Sequence, residues 1–475
     1  LYLLSLVLGI GGSFQYGIQV SVIASPAVHI QSFVNQTWLL RYGSPVDDST
    51  NQLIWSFMVA VLSLGAWAGA IHSGSLPVTY GRKKALLFNN VVAVVAALLM
   101  LFSRMAQSFE MILLGRFLYG YNVGLGLSVH LMYLGECSPK KLRGVMTLTG
   151  SIFVGFGKVM GQIIGIKELM GTEDMWPYLL AISGIPAILQ FVALLFFPET
   201  PRYLYIDKGD SEGSKKALQW LWQEDNLKLE LDDMQKERDS TLGEKAKTVR
   251  DVLSSRCVRW QLLTLVIPCA GVQLCGINAL YFYAFDIFRE SGVPEDQMHY
   301  LSIGLGATEL ITVTLCSFLI DRAGRKKLMG YGYLLMGVTM CALTVTKLFH
   351  IHKYIYHNYY SYSCFLIKAG VSMALPADLF LQAWRPSAYV ISGTVNWLCM
   401  FLVAMLFGYI VNGLGQFCFL IFVAYTFLSA AFLITFVPET KGKTMIEITE
   451  DFNKLNFKNR AVELERTDVD LATTF

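Results

Sequence analysis

Two amide side chains, Gln273 and Asn278, lie in an otherwise apolar stretch that is long enough to cross a membrane. Amides both donate and accept hydrogen bonds, so this pair suits a ligand that is rich in hydroxyl groups. On an ideal helix, residues five apart differ by about 140° at roughly 100° per residue, so a break at Gly276 is needed to turn both towards one cavity. The alternative is that they pack against a neighbouring helix, because an unpaired amide is costly in lipid.

Further polar side chains in apolar stretches extend this candidate site. Gln15, Gln19 and Gln162 are expected either to line the same cavity or to join helices. Glu309 also lies in an apolar stretch, where a carboxylate is costly unless it is paired or protonated. We expect Glu309 to be a neutral hydrogen-bonding group; a specificity element and a proton-sensitive group are the alternatives.

Sequence motifs of enzymes and metal sites are missing. No P-loop, nucleophile elbow, HExxH or paired CxxC occurs, so neither ATP-driven pumping nor catalysis has support. The nine cysteines are scattered, mostly in apolar runs where a thiol behaves as a small hydrophobic group. A formal net charge of +3 gives no electrostatic basis for binding nucleic acid. We therefore expect no enzymatic activity, no cofactor, no ATP and no nucleic-acid partner.

The elements that position these residues are predicted to be membrane helices in a lipid bilayer. The chain is 54% hydrophobic and only 15% charged, whereas a soluble domain carries about 25% charged residues. About twelve apolar stretches approach the roughly 20 residues that a spanning helix needs. We number them span 1 to span 12: 1–23, 52–73, 85–104, 111–134, 146–166, 177–197, 260–287, 299–320, 327–349, 354–376, 387–410 and 415–437.

Basic residues indicate how the spans are oriented. Lys and Arg cluster in the loops after spans 2, 4, 8 and 10, which places these loops and both termini in the cytoplasm. Asn35 begins the sequon Asn-Gln-Thr and then lies outside, where it is a candidate glycosylation site. Residues 203–259 are charged and helix-prone, and we expect them to form a cytoplasmic linker of short helices.

Three motifs occur twice, each pair about 240 residues apart, as an internal duplication produces. Gly-Arg-Lys-Lys, Pro-Glu-Thr, and an acid followed seven residues later by Arg all recur, which predicts a parallel repeat of six helices. Arg pairs well with carboxylates, so we expect these residues to latch helix ends together when the cytoplasmic side closes. The alternative is that the cations only set topology. The predicted latch comprises Gly81, Arg82, Glu136, Arg143, Glu199, Arg202, Asp321, Gly324, Arg325, Asp378, Arg385 and Glu439.

The segments GRKK, YLGECSPKKLRG, PETPRYL, QLCGINALYFYA, DRAGRKK, RPSA and PETKGKT occur in this order over nearly the whole chain. Together they resemble the facilitative hexose transporters, the sugar-porter branch of the major facilitator superfamily, and more finely the fructose-type class. This resemblance implies an all-α membrane protein with the major facilitator fold and about twelve transmembrane helices. It also implies two six-helix halves, at 1–202 and 260–437, joined by a cytoplasmic helical linker at 203–259 and followed by a cytoplasmic tail at 438–475.

The resemblance also implies roles for individual residues. Gln273 and Asn278 would hydrogen-bond the sugar, and Trp397, with Asn396 before it, would lie near the sugar. Phe282 and Tyr283 would form an aromatic gate over the outer mouth. The sequence departs from the family pattern at three positions, where other residue types are usual: Ser151 and Val272 replace Gln, and Glu309 replaces Asn.

Three functions compete for this fold. The leading hypothesis is a facilitative uniporter for hexoses, fructose or glucose, in the plasma membrane. A proton-coupled symporter would resemble relatives that have an acid in span 1, but residues 1–23 contain none, which leaves Glu309 as its candidate. A sugar sensor without transport is the third, because span 10 contains Lys368 and has only Gly370 and Pro376 where the family has a Gly- and Pro-rich break.

Overall fold

The computed structural model describes residues 1–139, 142–222, 227–241, 247–290, 292–348, 375, 379–380, 384–439 and 445–456. Over these residues the chain forms helices joined by short turns, and it contains no strand. Nine helices in this described part are long and apolar enough to cross a membrane. The predicted span 10 lies almost wholly outside the described residues, as does Asp378.

The other predicted spans are helices whose ends differ from the prediction by a few residues. Hydropathy locates them because a membrane-spanning helix needs a run of about 20 mostly apolar residues. Spans 1 to 4 are the helices Tyr2–Ser21, Asp48–His72, Arg82–Phe102 and Phe109–Cys137. Spans 5 and 6 are Arg143–Ile164 and Trp176–Phe196, and spans 7 to 9 are Arg256–Phe282, Glu295–Ala323 and Arg325–Leu348. Spans 11 and 12 are Arg385–Leu414 and Cys418–Phe436.

Spans 2 and 4 approach each other so closely that their backbones touch. A Cβ atom at Gly65 would lie 2.0 Å from the carbonyl oxygen of Phe117, and one at Gly120 would lie 2.0 Å from that of Leu62. Small residues permit this approach, and helix association in lipid depends on such van der Waals packing. The contact holds span 4, and with it Glu136 at its far end, in a fixed place.

Spans 1 and 5 make a second contact of this kind. A Cβ atom at Gly17 would lie 2.2 Å from the carbonyl oxygen of Val154, and one at Gly157 would lie 2.2 Å from that of Phe14. The two polar candidates of span 1, Gln15 and Gln19, are therefore carried on a helix whose position has little freedom.

Among the described residues, the most extensive contacts between the two sequence repeats run along two helix pairs. Span 2 packs against span 11, and span 5 packs against span 8. One buried apolar cluster contains residues of both repeats, among them Ile18, Tyr119, Leu280, Trp397 and Phe422. The division into domains at residues 202, 259 and 437 stays a prediction.

The segment after span 6 contains three short helices, Ser211–Trp222, Lys228–Thr241 and Val249–Ser254. Trp222 donates its indole N–H to the carbonyl oxygen of Cys137 at 2.9 Å, which fastens the first of them to the end of span 4. Thr248 and Asp251 form a capping box at the start of the third helix. Hydrogen bonds from the Thr248 backbone and hydroxyl lower the pKa of Asp251.

Candidate functional site

Span 7 is broken at Gly276, which is the condition under which Gln273 and Asn278 can face one cavity. The helix ends at Leu274 and resumes at Ile277, and Gly276 has a φ of +85°, in the left-handed region that favours glycine. A Cβ atom there would also lie 2.9 Å from the ring of Phe422. The break rotates the second segment relative to the first, so that Gln273 and Asn278 meet.

Three amide groups join at this break. Gln273 donates its Nε2 hydrogen to Oδ1 of Asn396 at 2.9 Å, and its Oε1 atom accepts from Nδ2 of Asn278. All three side chains are buried. The cluster therefore links span 7 to span 11 at the level of Trp397, with donor and acceptor groups of the kind that hydroxyl-rich ligands use.

Tyr16 of span 1 lies against the same cluster, although the sequence analysis did not select it. Its ring meets the ring of Trp397 edge to face, with the centroids 5.5 Å apart. Its hydroxyl group contacts Sδ of Met400, on span 11, at 3.9 Å. The signal in the sequence was its place beside Gln15 in span 1.

The three glutamines Gln15, Gln19 and Gln162 share one feature. The side-chain amide nitrogen of each is hydrogen-bonded within the protein, to Gly11 O, Ser183 Oγ and Ser302 Oγ at 2.8, 2.9 and 3.0 Å respectively. The carbonyl oxygen of each is buried and has no hydrogen-bond partner among the described residues. A buried acceptor without a partner is costly, so these oxygens are suited to accept from a polar ligand.

Glu309, which we expected to be a neutral hydrogen-bonding group, lies beside a lysine in the structure. Nζ of Lys158 lies 2.7 Å from Oε1 and 3.0 Å from Oε2 of Glu309, which is an ion pair between span 5 and span 8. Tyr281 donates its hydroxyl hydrogen to the same carboxylate. Lys158 was not among the predicted site residues. The sequence marks it as the cation inside the apolar fifth span. Ser151 lies half-buried earlier on that helix.

The two residues of the predicted gate are buried at the end of the bundle opposite Gly81. Phe282 is 2% and Tyr283 is 7% exposed. The hydroxyl group of Tyr283 donates to the carbonyl oxygen of Ala404 at 3.0 Å, and its ring lies 5.2 Å from that of Phe407. Tyr283 thus packs against span 11 on this side, and the opening of the gate stays a prediction.

At the other end of the bundle, two members of the predicted latch, Arg82 and Glu136, contact each other. The Nε and Nη2 atoms of Arg82 lie 3.0 and 2.8 Å from Oε1 of Glu136, and its Nη1 atom lies 2.8 Å from Oδ2 of Asp207. The guanidinium group also stacks on the ring of Tyr203 at 4.8 Å. Arg82 therefore joins the start of span 3 to the end of span 4 and to the segment after span 6.

Glu199 has a role that the sequence analysis did not predict. Its carboxylate accepts from the backbone N–H groups of Arg82, Lys83 and Thr200 at 3.0 to 3.2 Å, and so caps the start of span 3. Gly81 leaves room for it, because a Cβ atom there would lie 2.3 Å from the carboxylate, and its φ of +100° also requires glycine.

The second sequence repeat reproduces this arrangement. The carboxylate of Glu439 lies 3.4 Å from the backbone nitrogen of Lys326, and Gly324 has a φ of +88°. A Cβ atom at Gly324 would lie 2.9 Å from that carboxylate. In both repeats, the glycine thus leaves room for the glutamate carboxylate beside the backbone at the start of a span.

Arg202 extends the network into the linker. Its Nη2 atom lies 3.1 Å from Oε1 of Glu230, and both side chains are largely buried. Asp378, another member of the predicted latch, lies outside the described residues. The other remaining members have side chains that the structure does not describe. They are Arg143, Asp321, Arg325 and Arg385.

We expect the Arg82→Lys substitution to lower the stability of the protein even though it keeps the charge. A lysine ammonium does not bridge Glu136 and Asp207 as the guanidinium does, and each charge-assisted hydrogen bond lost costs about 1.5–3 kcal/mol. Thermal unfolding of the purified chain in detergent measures the effect. The matched control is Arg104→Lys, because the Arg104–Asp174 pair is exposed and contributes little. Equal melting temperatures for the two variants would contradict this role for Arg82.

Comparisons with known proteins identify the family of this chain. A family model described as "Sugar (and other) transporter" matches residues 4–452. The chain is 40% identical over 461 residues to human "Solute carrier family 2, facilitated glucose transporter member 11", covering 95% of this chain and 93% of the relative. It is 37% identical over 464 residues to human member 5 of the same family, covering 96% and 92%.

Solved structures show the same fold. The proton:xylose symporter XylE bound to 6-bromo-6-deoxy-D-glucose superposes with a TM-score of 0.77 at 22% identity, covering 94% of this chain and 98% of that one. A partially occluded, inward-open form of XylE from E. coli gives 0.76. These likenesses establish the major facilitator fold, and the sequence matches establish the family. The chain belongs to the sugar transporter family and is a multi-pass membrane protein.

Proposed function

We propose that this protein is a facilitative uniporter that moves hexoses across the membrane by alternating access. Members of its family are transporters rather than enzymes, and relatives at 40% and 37% identity are named facilitated glucose transporters. The observation that carries the proposal is the buried cluster of Gln273, Asn278 and Asn396 at the break of span 7. Cys269, Ala270 and Gly271 stand where glucose-selective members typically have Gln-Leu-Ser, which favours fructose as an additional substrate.

The site is proposed to lie between the amide cluster and the helices of the first repeat. Tyr16 and Trp397 supply flat apolar surfaces for the sugar ring, and Gln15 and Gln162 offer buried acceptor oxygens. Phe282 and Tyr283 close one end of this path, and the network around Arg82 ties helix ends together at the other. Moving the two repeats relative to each other would open the ends in turn.

Uptake by liposomes that contain the purified full chain tests this function. We expect saturable uptake of labelled fructose and glucose without any ion gradient and with no dependence on pH. Uptake that occurs only with an inward proton gradient would instead support a symporter. Binding of hexose without uptake would support a sensor, which is the hypothesis based on the unusual sequence of span 10.

We further propose that the protein lies in the plasma membrane with both termini in the cytoplasm. The bias of Lys and Arg among the loops supports this orientation. Asn35 is exposed, on the helix Ala27–Tyr42 that follows span 1, on the side opposite the basic loops.

We expect Asn35 to carry an N-linked glycan, because its sequon is the only one in the sequence and would face the lumen during synthesis. Protein from a eukaryotic host should become smaller on a gel after treatment with an N-glycosidase. The Asn35→Gln variant should show no such change, whereas Asn51→Gln, in the first turn of span 2 and outside a sequon, should behave as the wild type. A glycosidase-resistant wild type would count against this orientation.

A further inference from the structure

Lys158 and Glu309 form an ion pair in the interior of the helix bundle. The two residues are 4% and 6% exposed, and they come from span 5 and span 8, one in each sequence repeat. Tight packing surrounds them: a Cβ atom at Gly155 would lie 3.2 Å from Leu310, and one at Gly306 would lie 2.1 Å from Oε1 of Gln162. The pair therefore joins the two repeats at a place that bulk water does not reach.

The carboxylate of Glu309 is held by more than the ammonium group. Tyr281 donates a hydrogen bond to Oε2, while Nζ of Lys158 lies 4.3 Å from the centre of the Tyr281 ring. Tyr16 of span 1 also faces Glu309. In the part of the chain that the structure describes, Lys158 and Tyr281 contact the Glu309 carboxylate and Tyr16 lies near it, and Lys158 is the cation among these groups.

This pair adjoins the amide cluster. Tyr281 follows Asn278 by three residues on the helix Ile277–Phe282, which places both on neighbouring positions of one face. Span 1 packs against this same helix, and its Tyr16 meets the ring of Trp397, the neighbour of Asn396. A change in the position or charge of Glu309 is therefore transmitted directly to residues of the proposed sugar site.

Burial makes the charge of Glu309 depend on its partner. Removing one member of a buried ion pair leaves an uncompensated charge, which is strongly unfavourable. A carboxylate in that position takes up a proton instead, whereas a paired one stays ionised.

We infer that Lys158 is a positioning residue that keeps Glu309 ionised and seated against Tyr281, so that transport through the adjoining site needs no proton. This inference rests on the proposed function. The family resemblance gives no role to Lys158. We assign it the role of making transport independent of pH.

The test compares uptake by wild type and by Lys158→Met in liposomes between mildly acidic and mildly alkaline pH. Wild-type uptake should be flat. In Lys158→Met, Glu309 should work only when it is protonated, so uptake should fall as pH rises, by up to about tenfold per pH unit where the group titrates. A Lys158→Met variant with a flat profile, whether reduced or not, would overturn the inference.

A double variant separates this effect from general damage to the fold. Glu309→Gln added to Lys158→Met removes the titrating carboxyl group, so the pH profile should become flat again even if uptake is low. A double variant that keeps the slope of Lys158→Met would show that another group titrates and would overturn the inference.

Infrared spectroscopy tests the same point without transport. Purified Lys158→Met should show the C=O band of a protonated carboxyl group that wild type lacks, and the band should vanish in the double variant. If wild type takes up no hexose but these bands appear, the proposed function fails while the role of Lys158 stands. If hexose uptake occurs but the band is missing from Lys158→Met, the role of Lys158 is contradicted and the proposed function is not.

Discussion

Replacing Gln273 with alanine is expected to lower hexose uptake by roughly 100-fold, because a loss of about 3 kcal/mol in the transport-competent complex corresponds to that factor. Gln273 is the central member of the amide cluster: it donates to Asn396 and accepts from Asn278. Truncation leaves both neighbouring amides without their buried partner and removes the group that we propose binds sugar. The measurement is the initial rate of labelled fructose and glucose uptake into liposomes over a range of concentrations.

Gln261→Ala is the matched control for this prediction. Gln261 is also a buried glutamine on span 7, but it lies near the start of the helix Arg259–Leu274 and outside the amide cluster. We expect its substitution to leave uptake within about twofold of wild type, as for changes away from a site. An equal loss of uptake in both variants would mean that span 7 tolerates no truncation of a buried glutamine side chain. That result would contradict the role proposed for Gln273.

Replacing Gly124 with alanine is expected to destabilise the bundle by about 3 kcal/mol. The added Cβ atom would lie 2.0 Å from the carbonyl oxygen and 2.7 Å from the carbonyl carbon of Ala66. These are backbone atoms, so no side chain can turn aside, and spans 2 and 4 must move apart along the contact that Gly65 and Gly120 also form. Thermal unfolding in detergent and the yield of monodisperse protein measure the loss.

Gly135→Ala provides the comparison within the same helix. Gly135 also lies in Phe109–Cys137, but a Cβ atom there would meet nothing within 4 Å. Alanine is a better helix former than glycine by about 1 kcal/mol, so this variant should melt at the same temperature as wild type or higher. If Gly124→Ala were as stable as Gly135→Ala, the two helices would not be in backbone contact.

The local features of the protein were determined by its sequence. Apolar length located eleven of the predicted spans, numbered 1 to 9, 11 and 12, to within a few residues, because burial in lipid depends on hydropathy summed along one segment. The break at Gly276 was predictable because only a glycine readily adopts its backbone conformation. The duplicated Gly and Glu motifs were visible as a repeat, and the structure gives both copies the same geometry.

Side-chain partners were decided by the tertiary structure. The contacts of Lys158 with Glu309, of Arg202 with Glu230 and of Tyr16 with Trp397 each join elements that are far apart in the sequence. Which groups meet depends on how each helix is rotated about its axis and displaced along it, and hydropathy does not specify either quantity. That is why the sequence led us to expect a Glu309 without a charged partner, and why only the packing of span 5 against span 8 revealed the lysine beside it.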